Sequence, residues 1–196
     1  MTRQSRSALA LFAVFAAVCT AVSAEAPVSD ELRTLKLGDT AKDVEFQPLE
    51  GDKIKLSQLA KQGPVVLVVL RGYPGYQCPL CSRQVAEFRK HAEEFKQLNA
   101  KVVLIYPGTA EKLRERAEEF LAGKELPEPM LLAIDPGYGF TSRYGLRWDA
   151  PGETAYPSAF VLDEQRTVKF RKVSRTHGDR ATAKEVIAAL SEMPAT

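Results

Sequence analysis

Cysteine, histidine and tryptophan are scarce in this chain: three, two and one among 196 residues. A small secreted scaffold stapled by several spread disulfides is therefore excluded. No Gly-rich phosphate loop, no nucleophilic Ser–His–Asp set and no carboxylate pair stands at recognisable spacing. Internal repeats and low-complexity tracts are absent. The longest apolar run, Ala8 to Val22, is 15 residues, short of the about 20 that a spanning helix needs. A single-domain length, 45% hydrophobic and 27% charged residues describe an ordinary globular unit that buries roughly 70% of its unfolded surface.

The first residues differ from the rest. Arg3 and Arg6 precede the apolar run, and Val22-Ser23-Ala24 ends it with small residues. That order is the pattern of a secretory signal peptide over 1–24, cleaved after Ala24. Val18 stands before Cys19, where a lipoprotein signal would usually carry a smaller residue. Cleavage leaves 25 basic against 25 acidic residues, from 27 Lys+Arg less Arg3 and Arg6 and an unchanged 25 Asp+Glu. A neutral protein offers no electrostatic case for nucleic acid, or for a membrane beyond export. The expected setting is exported, a bacterial periplasm.

After a polar linker over 25–34, residues 35–193 read as one α/β domain. Val44 to Phe46 and Lys53 to Leu56 suggest an N-terminal hairpin around Glu50-Gly51-Asp52, with Ser57 capping a short helical turn. Val65 to Leu70, six consecutive aliphatics, suits a strand buried on both faces. A loop over Arg71 to Gln77, bent at Gly72 and Gly75, leads into a helix expected from Pro79 to Leu98. A strand at Val102 to Ile105, a charged amphipathic helix over Thr109 to Ala122 and a strand at Met130 to Ile134 follow. Ser158 to Leu162 and Thr167 to Val173 form a second hairpin before a last helix, Ala181 to Leu190. Strands alternating with helices, then a hairpin and a helix, imply a central mixed sheet with helices on both faces.

Cys78-Pro79-Leu80-Cys81 lies where this pattern places reactive sulfur. Beyond a buried strand and at the start of a long helix, unpaired N–H groups and the helix dipole favour thiolate over thiol. Cysteines so placed have pKa values lowered to about 3.5–7.5, and the thiolate is the species that attacks a disulfide. A bridge closing so short a loop adds little stability, so reactivity explains the pair better than scaffolding does. Cys-X-X-Cys also supplies two zinc ligands, but His91 is on the same expected helix and His177 is expected in a loop, so no metal site is assigned. The chemistry calls for no cofactor.

The strand 65–70, the stretch RGYPGYQCPLC (71–81) and Tyr156 to Asp163 together resemble the peroxiredoxin-like (AhpC/TSA, redoxin) branch of the thioredoxin superfamily, over roughly Leu35 to Leu190. The resemblance implies a thioredoxin-like fold with a strand–helix insertion at Met130 to Tyr144. It also implies that Pro157 is a cis-proline facing the cysteines, one of three site-shaping prolines with Pro74 and Pro79. It offers two registers. Counted back from Cys81, Pro74 and Cys78 fall on the proline and Thr/Ser positions of the peroxidatic motif, making Cys81 peroxidatic. In the thioredoxin register Cys78 is the nucleophile and Cys81 resolves. The motif's hydroxyl is here a thiol, and Pro157 and Ser158 stand where the family's activating arginine usually lies. Arg71, Arg143, Arg147 and Arg171 are the candidate substitutes. Those departures favour a thiol–disulfide oxidoreductase using a redox-active Cys78–Cys81 disulfide, with an atypical antioxidant thiol peroxidase as the alternative and a non-catalytic binding module as the third reading. The partners implied are a protein dithiol or disulfide, or a peroxide, and an electron donor. Trp148 is expected to pack under the loop before Pro157, and Tyr73 and Tyr76 to flank the active-site loop.

Overall fold

The computed structural model describes residues 34–194; the leader expected over 1–24 and the linker up to residue 33 lie outside the described residues. Thr34 is buried and its hydroxyl accepts a hydrogen bond from Arg171, so the folded unit takes in one residue more than expected.

The aliphatic run becomes Val65–Val69 (β3), with every side chain buried. It pairs in parallel with Lys101–Gly108 (β4) and antiparallel with Ser158–Leu162 (β6). Met130–Pro136 (β5) extends the parallel side, and Glu45–Pro48 (β1) with Ile54–Lys55 (β2) completes it as an antiparallel hairpin. Val168–Val173 (β7) closes the other side against β6. The result is one mixed sheet of seven strands in the order β2-β1-β5-β4-β3-β6-β7.

Alternation along β3 builds two cores. Val66 and Val68 join Val102, Leu104 and Val161 beneath Pro79–Lys90 (α2), Ala92–Gln97 (α3), Leu113–Leu121 (α4) and Ala183–Ser191 (α6). Val65, Leu67 and Val69 join Val103, Ile105 and Phe160 beneath Leu56–Ala60 (α1) and beside Gly139–Arg143 (α5). Helices therefore cover both faces, as a fully aliphatic central strand requires.

Three local expectations are corrected. The helix from Pro79 breaks at His91 (φ −102°, ψ 13°), whose N–H bonds Phe88 three residues back. That tighter step keeps Phe88 and Phe95 both fully buried and stacked at 5.5 Å. The charged helix starts at Leu113 instead of Thr109, because Lys112 adopts a left-handed conformation. Ser57 lies inside α1 rather than capping it, and its N–H and hydroxyl both bond the Asp43 carboxylate.

The β3 chain does not leave the sheet abruptly. Leu70 N–H bonds Ile105 and Tyr73 N–H bonds Pro107, so the loop tracks β4 past the strand end. That close approach needs Gly72, which sits at φ +72° with its Cα against the Pro107 carbonyl, where a Cβ would overlap the oxygen. Gly72→Ala should therefore lose more than about 2 kcal/mol, a Tm drop of at least roughly 4–8 °C in a domain of this size. Gly178→Ala, in open space and without a positive φ, should leave Tm within error. Calorimetry on both variants checks this, and an unchanged Tm in Gly72→Ala would refute the close-approach argument.

Candidate active site

Sheet register decides what meets here. Val69 at the end of β3 lies opposite Ser158 at the start of β6, which lies opposite Val173 at the end of β7. The segments 71–77, 148–157 and 174–182 therefore emerge at one edge, around the start of α2.

Cys78 is the N-cap of α2, in extended conformation with Pro79 at the first helical position, where a missing N–H costs nothing. Its Sγ accepts the Cys81 N–H at 3.4 Å. Both cysteines are free thiols and nearly closed to solvent, at 3% exposure for Cys78 and 0% for Cys81. The residue before them is pinned on both sides: Gln77 Nε2 donates to the Arg116 carbonyl at 2.8 Å and its Oε1 accepts the Tyr106 hydroxyl at 2.7 Å. Burial first, then the nearby sulfurs, keep the Tyr106 proton on well above the usual phenol range.

The arginine that reaches the sulfurs is Arg180, between β7 and α6. Its Nη1 lies 3.4 Å from Cys81 Sγ and 3.2 Å from Gln84 Oε1, and its Nη2 lies 3.8 Å from Cys78 Sγ. Its Nε donates to the His177 carbonyl at 2.7 Å. α2 holds the same segment from its own side. Gln84 Nε2 donates to the Ala181 carbonyl, and Glu87 accepts the Ala183 N–H at the start of α6.

This environment separates the two thiols. The Cys81 thiol donating to Cys78, followed by the backbone N–H of Cys81, the Arg180 charge and the Leu80 N–H, holds Cys78 down to about 5 against the opposing effect of burial. Burial and the hydrogen bond to Cys78 push Cys81 well up, past what Arg180 returns. The reduced pair thus carries one negative charge on Cys78 and one proton on Cys81, a nucleophile with a proton donor one helical turn behind it.

None of the four arginines put forward from the sequence touches sulfur. Arg71 pairs with Glu153, Arg147 bonds the carbonyls of Trp148, Glu153 and Thr154, Arg171 bonds Thr34, and Arg143 ends α5. Pro157 is also corrected. Its peptide bond is trans, and the cis bond among the described residues is Glu128–Pro129, at the opposite end of the sheet. Tyr156 N–H bonds Leu146, and the Pro157 carbonyl accepts from Ser174, so the chain runs extended into β6. Pro74 sits half-buried in the loop and Pro79 is exposed. Trp148 stacks on Tyr156, the residue before Pro157, at 4.8 Å. His91 pairs with Glu94 and His177 with Glu153.

The AhpC/TSA family model matches residues 37–171. Peroxiredoxin Q of Sedum lineare, a chloroplast protein, is 28% identical over 132 residues, 67% of this chain and 66% of that one. The crystal structure of peroxidoxin BcpB from Mycobacterium tuberculosis superposes with a TM-score of 0.67 at 28% identity, over 82% of this chain and 99% of that one. A peroxiredoxin-like protein of Aquifex aeolicus, at 16% identity, shares the fold with a TM-score of 0.66, over 81% and 88% of the two chains. The thioredoxin-like architecture expected from the sequence is thus the one found.

Titration of the reduced protein by thiolate absorbance should show one sulfur ionising near pH 5 and no second one until strongly alkaline pH. Alkylation should stay fast at pH 6 and fall only as pH drops through that midpoint, because acid returns the proton to Cys78. Arg180→Met removes the guanidinium and should raise the midpoint by about 1–3 pH units. A midpoint near that of free cysteine in the wild type would contradict the charge assignment.

Proposed function

The chain belongs to the AhpC/TSA family, and we propose that it is a thiol peroxidase that reduces a hydroperoxide at the Cys78–Cys81 dithiol and is recycled by an external thiol donor. Membership makes the protein an oxidoreductase acting on peroxides or thiols. The observation that carries the finer reading is the Arg180 guanidinium lying against both sulfurs. On sequence grounds disulfide exchange ranks ahead of peroxide reduction, because the peroxidatic motif lacks its hydroxyl and its usual arginine. Arg180 fills the second gap. Breaking an O–O bond develops negative charge on the departing oxygen, and a fixed cation beside the nucleophile is what stabilises it.

In this proposal the Cys78 thiolate attacks the terminal oxygen of ROOH. An S–O bond forms, the O–O bond breaks, and the leaving RO⁻ takes the proton of Cys81. Cys78 is then a sulfenic acid and Cys81 a thiolate, which attacks the Cys78 sulfur, expels hydroxide and closes the disulfide. Two electrons from the donor thiols restore the dithiol. The pair therefore passes through disulfide chemistry of the kind first expected, with peroxide as its oxidant. The exported, periplasmic setting proposed from residues 1–24 would require the donor to act there as well.

A second reading is favoured by one distance. Arg180 lies nearer Cys81 (3.4 Å) than Cys78 (3.8 Å), in line with the register that makes Cys81 peroxidatic. Single variants separate the two. Cys81→Ser should keep fast peroxide reaction and accumulate a trappable sulfenic acid on Cys78, while Cys78→Ser should react no faster than free cysteine. The reverse pattern assigns attack to Cys81. A wild-type rate constant no higher than that of free cysteine refutes peroxidase function in both forms.

A further inference from the structure

The carboxylate of Glu153, which neither cysteine touches, joins the other two segments at the sheet edge. Its Oε2 accepts from Arg71 Nε at 2.7 Å and its Oε1 from His177 Nε2 at 2.9 Å. The first partner belongs to the active-site loop. Arg71, with 5% of its side chain exposed, also donates to the Tyr76 hydroxyl and to the Gly152 carbonyl, and its own carbonyl accepts the Thr154 hydroxyl. The second partner belongs to the Arg180 segment. The His177 ring is tilted against Trp148 at 5.2 Å, and the His177 carbonyl is the acceptor that fixes Arg180 Nε.

The electrostatics of this joint are those of an ionised carboxylate. Burial pushes the Glu153 carboxyl up, but hydrogen bonds from Arg71 and His177 outweigh it and hold the group below the usual carboxylate range. With His177 donating from Nε2, the ionised carboxylate accepts one hydrogen bond on each of its two oxygens. A glutamine in its place would turn an amide N–H toward one of them.

We propose that Glu153 and His177 are positioning residues: they clamp segment 148–157 to segment 174–182 so that the His177 carbonyl holds the Arg180 guanidinium on the two sulfurs. The role assigned to Arg180 rests on the peroxidase reading above. The clamp acts at one remove from the chemistry, where a misplacement of about 1 Å can still lower a rate by up to about 100-fold.

The full reduced chain is tested with thiolate absorbance against pH and with hydrogen peroxide as oxidant. His177→Ala should raise the thiolate midpoint toward that of Arg180→Met and slow peroxide reaction by roughly 10- to 100-fold. Glu153→Gln should do the same. Since it also leaves Arg71 without its counter-charge, His177→Ala is the variant that keeps the proposal testable if Glu153→Gln folds poorly. His177→Gln, whose amide nitrogen can still donate to Glu153, should recover most of both effects. Variants that lose only thermal stability, with the wild-type midpoint and rate constant retained, would overturn the clamp. If the midpoint moves as expected while no form outpaces free cysteine toward peroxide, the clamp stands and the peroxidase reading fails.

Discussion

A negative charge on a sulfur that is 3% exposed has almost no water to solvate it. Leaving a buried charge uncompensated is among the most expensive things a fold can do, so the surroundings of Cys78 have to replace the missing solvent. They do so with the thiol of Cys81, the N–H groups of the first turn of α2 and the guanidinium of Arg180. The hydrogen-bonded ones weaken steeply with distance and misalignment, so each has to be held in place. Much of the local architecture follows from that: Gly72 lets the loop hug β4, Gln77 ties it to Tyr106 and to α4, and Gln84 holds the Arg180 segment against α2.

The sheet supplies the coarse alignment. Because β6 runs antiparallel to both β3 and β7, the end of β3, the start of β6 and the end of β7 come level. Residues 78 and 180 are far apart in sequence, yet two strand widths bring them to one edge. A purely parallel arrangement on this side would put the β7 end beside β3 only after another crossover connection. The closing hairpin, whose turn is held by Asp163 Oδ1 accepting the Gln165 and Thr167 N–H groups, is therefore part of how Arg180 reaches sulfur.

What could be read from the residues alone divides along the same line. The six-aliphatic strand, the hairpin at 158–173 and the cysteine pair at a helix start are local patterns with local physical causes, and each reappears in the structure. Arg180 carries no such mark. It follows Asp179 in an unremarkable polar loop, and only the antiparallel register of β6 and β7 shows that it faces Cys78. Of the four candidate arginines only Arg71 is near the motif in sequence, and Arg71 and Arg147 are consumed by Glu153 and by backbone carbonyls. Pro157 departs from expectation as well: its peptide bond is trans. A Tyr-Pro-Ser opening of a strand matches the superfamily pattern in spelling, and spelling does not fix the isomer of the bond before the proline. Glu153, Gln77 and Gln84 are single polar residues whose importance is set wholly by tertiary partners.

In the proposed cycle, the charge that favours the Cys78 thiolate also bears on the return half. In the dithiol state Arg180 faces a thiolate; in a Cys78–Cys81 disulfide that anion is gone and the guanidinium keeps only Gln84 and the His177 carbonyl as partners. Arg180 therefore stabilises the reduced form more than the oxidised one. Stabilising the reduced form makes a dithiol pair more oxidising, and a low thiol pKa goes with a disulfide that is readily reduced. On the reading in which Cys78 attacks, fast reaction with the oxidant and easy reduction by a donor share one cause. A pair held together for structural reasons would want the opposite bias, with the disulfide favoured and no cation beside it. The position of Arg180 is therefore an argument for turnover at this site that is independent of the spelling of the motif.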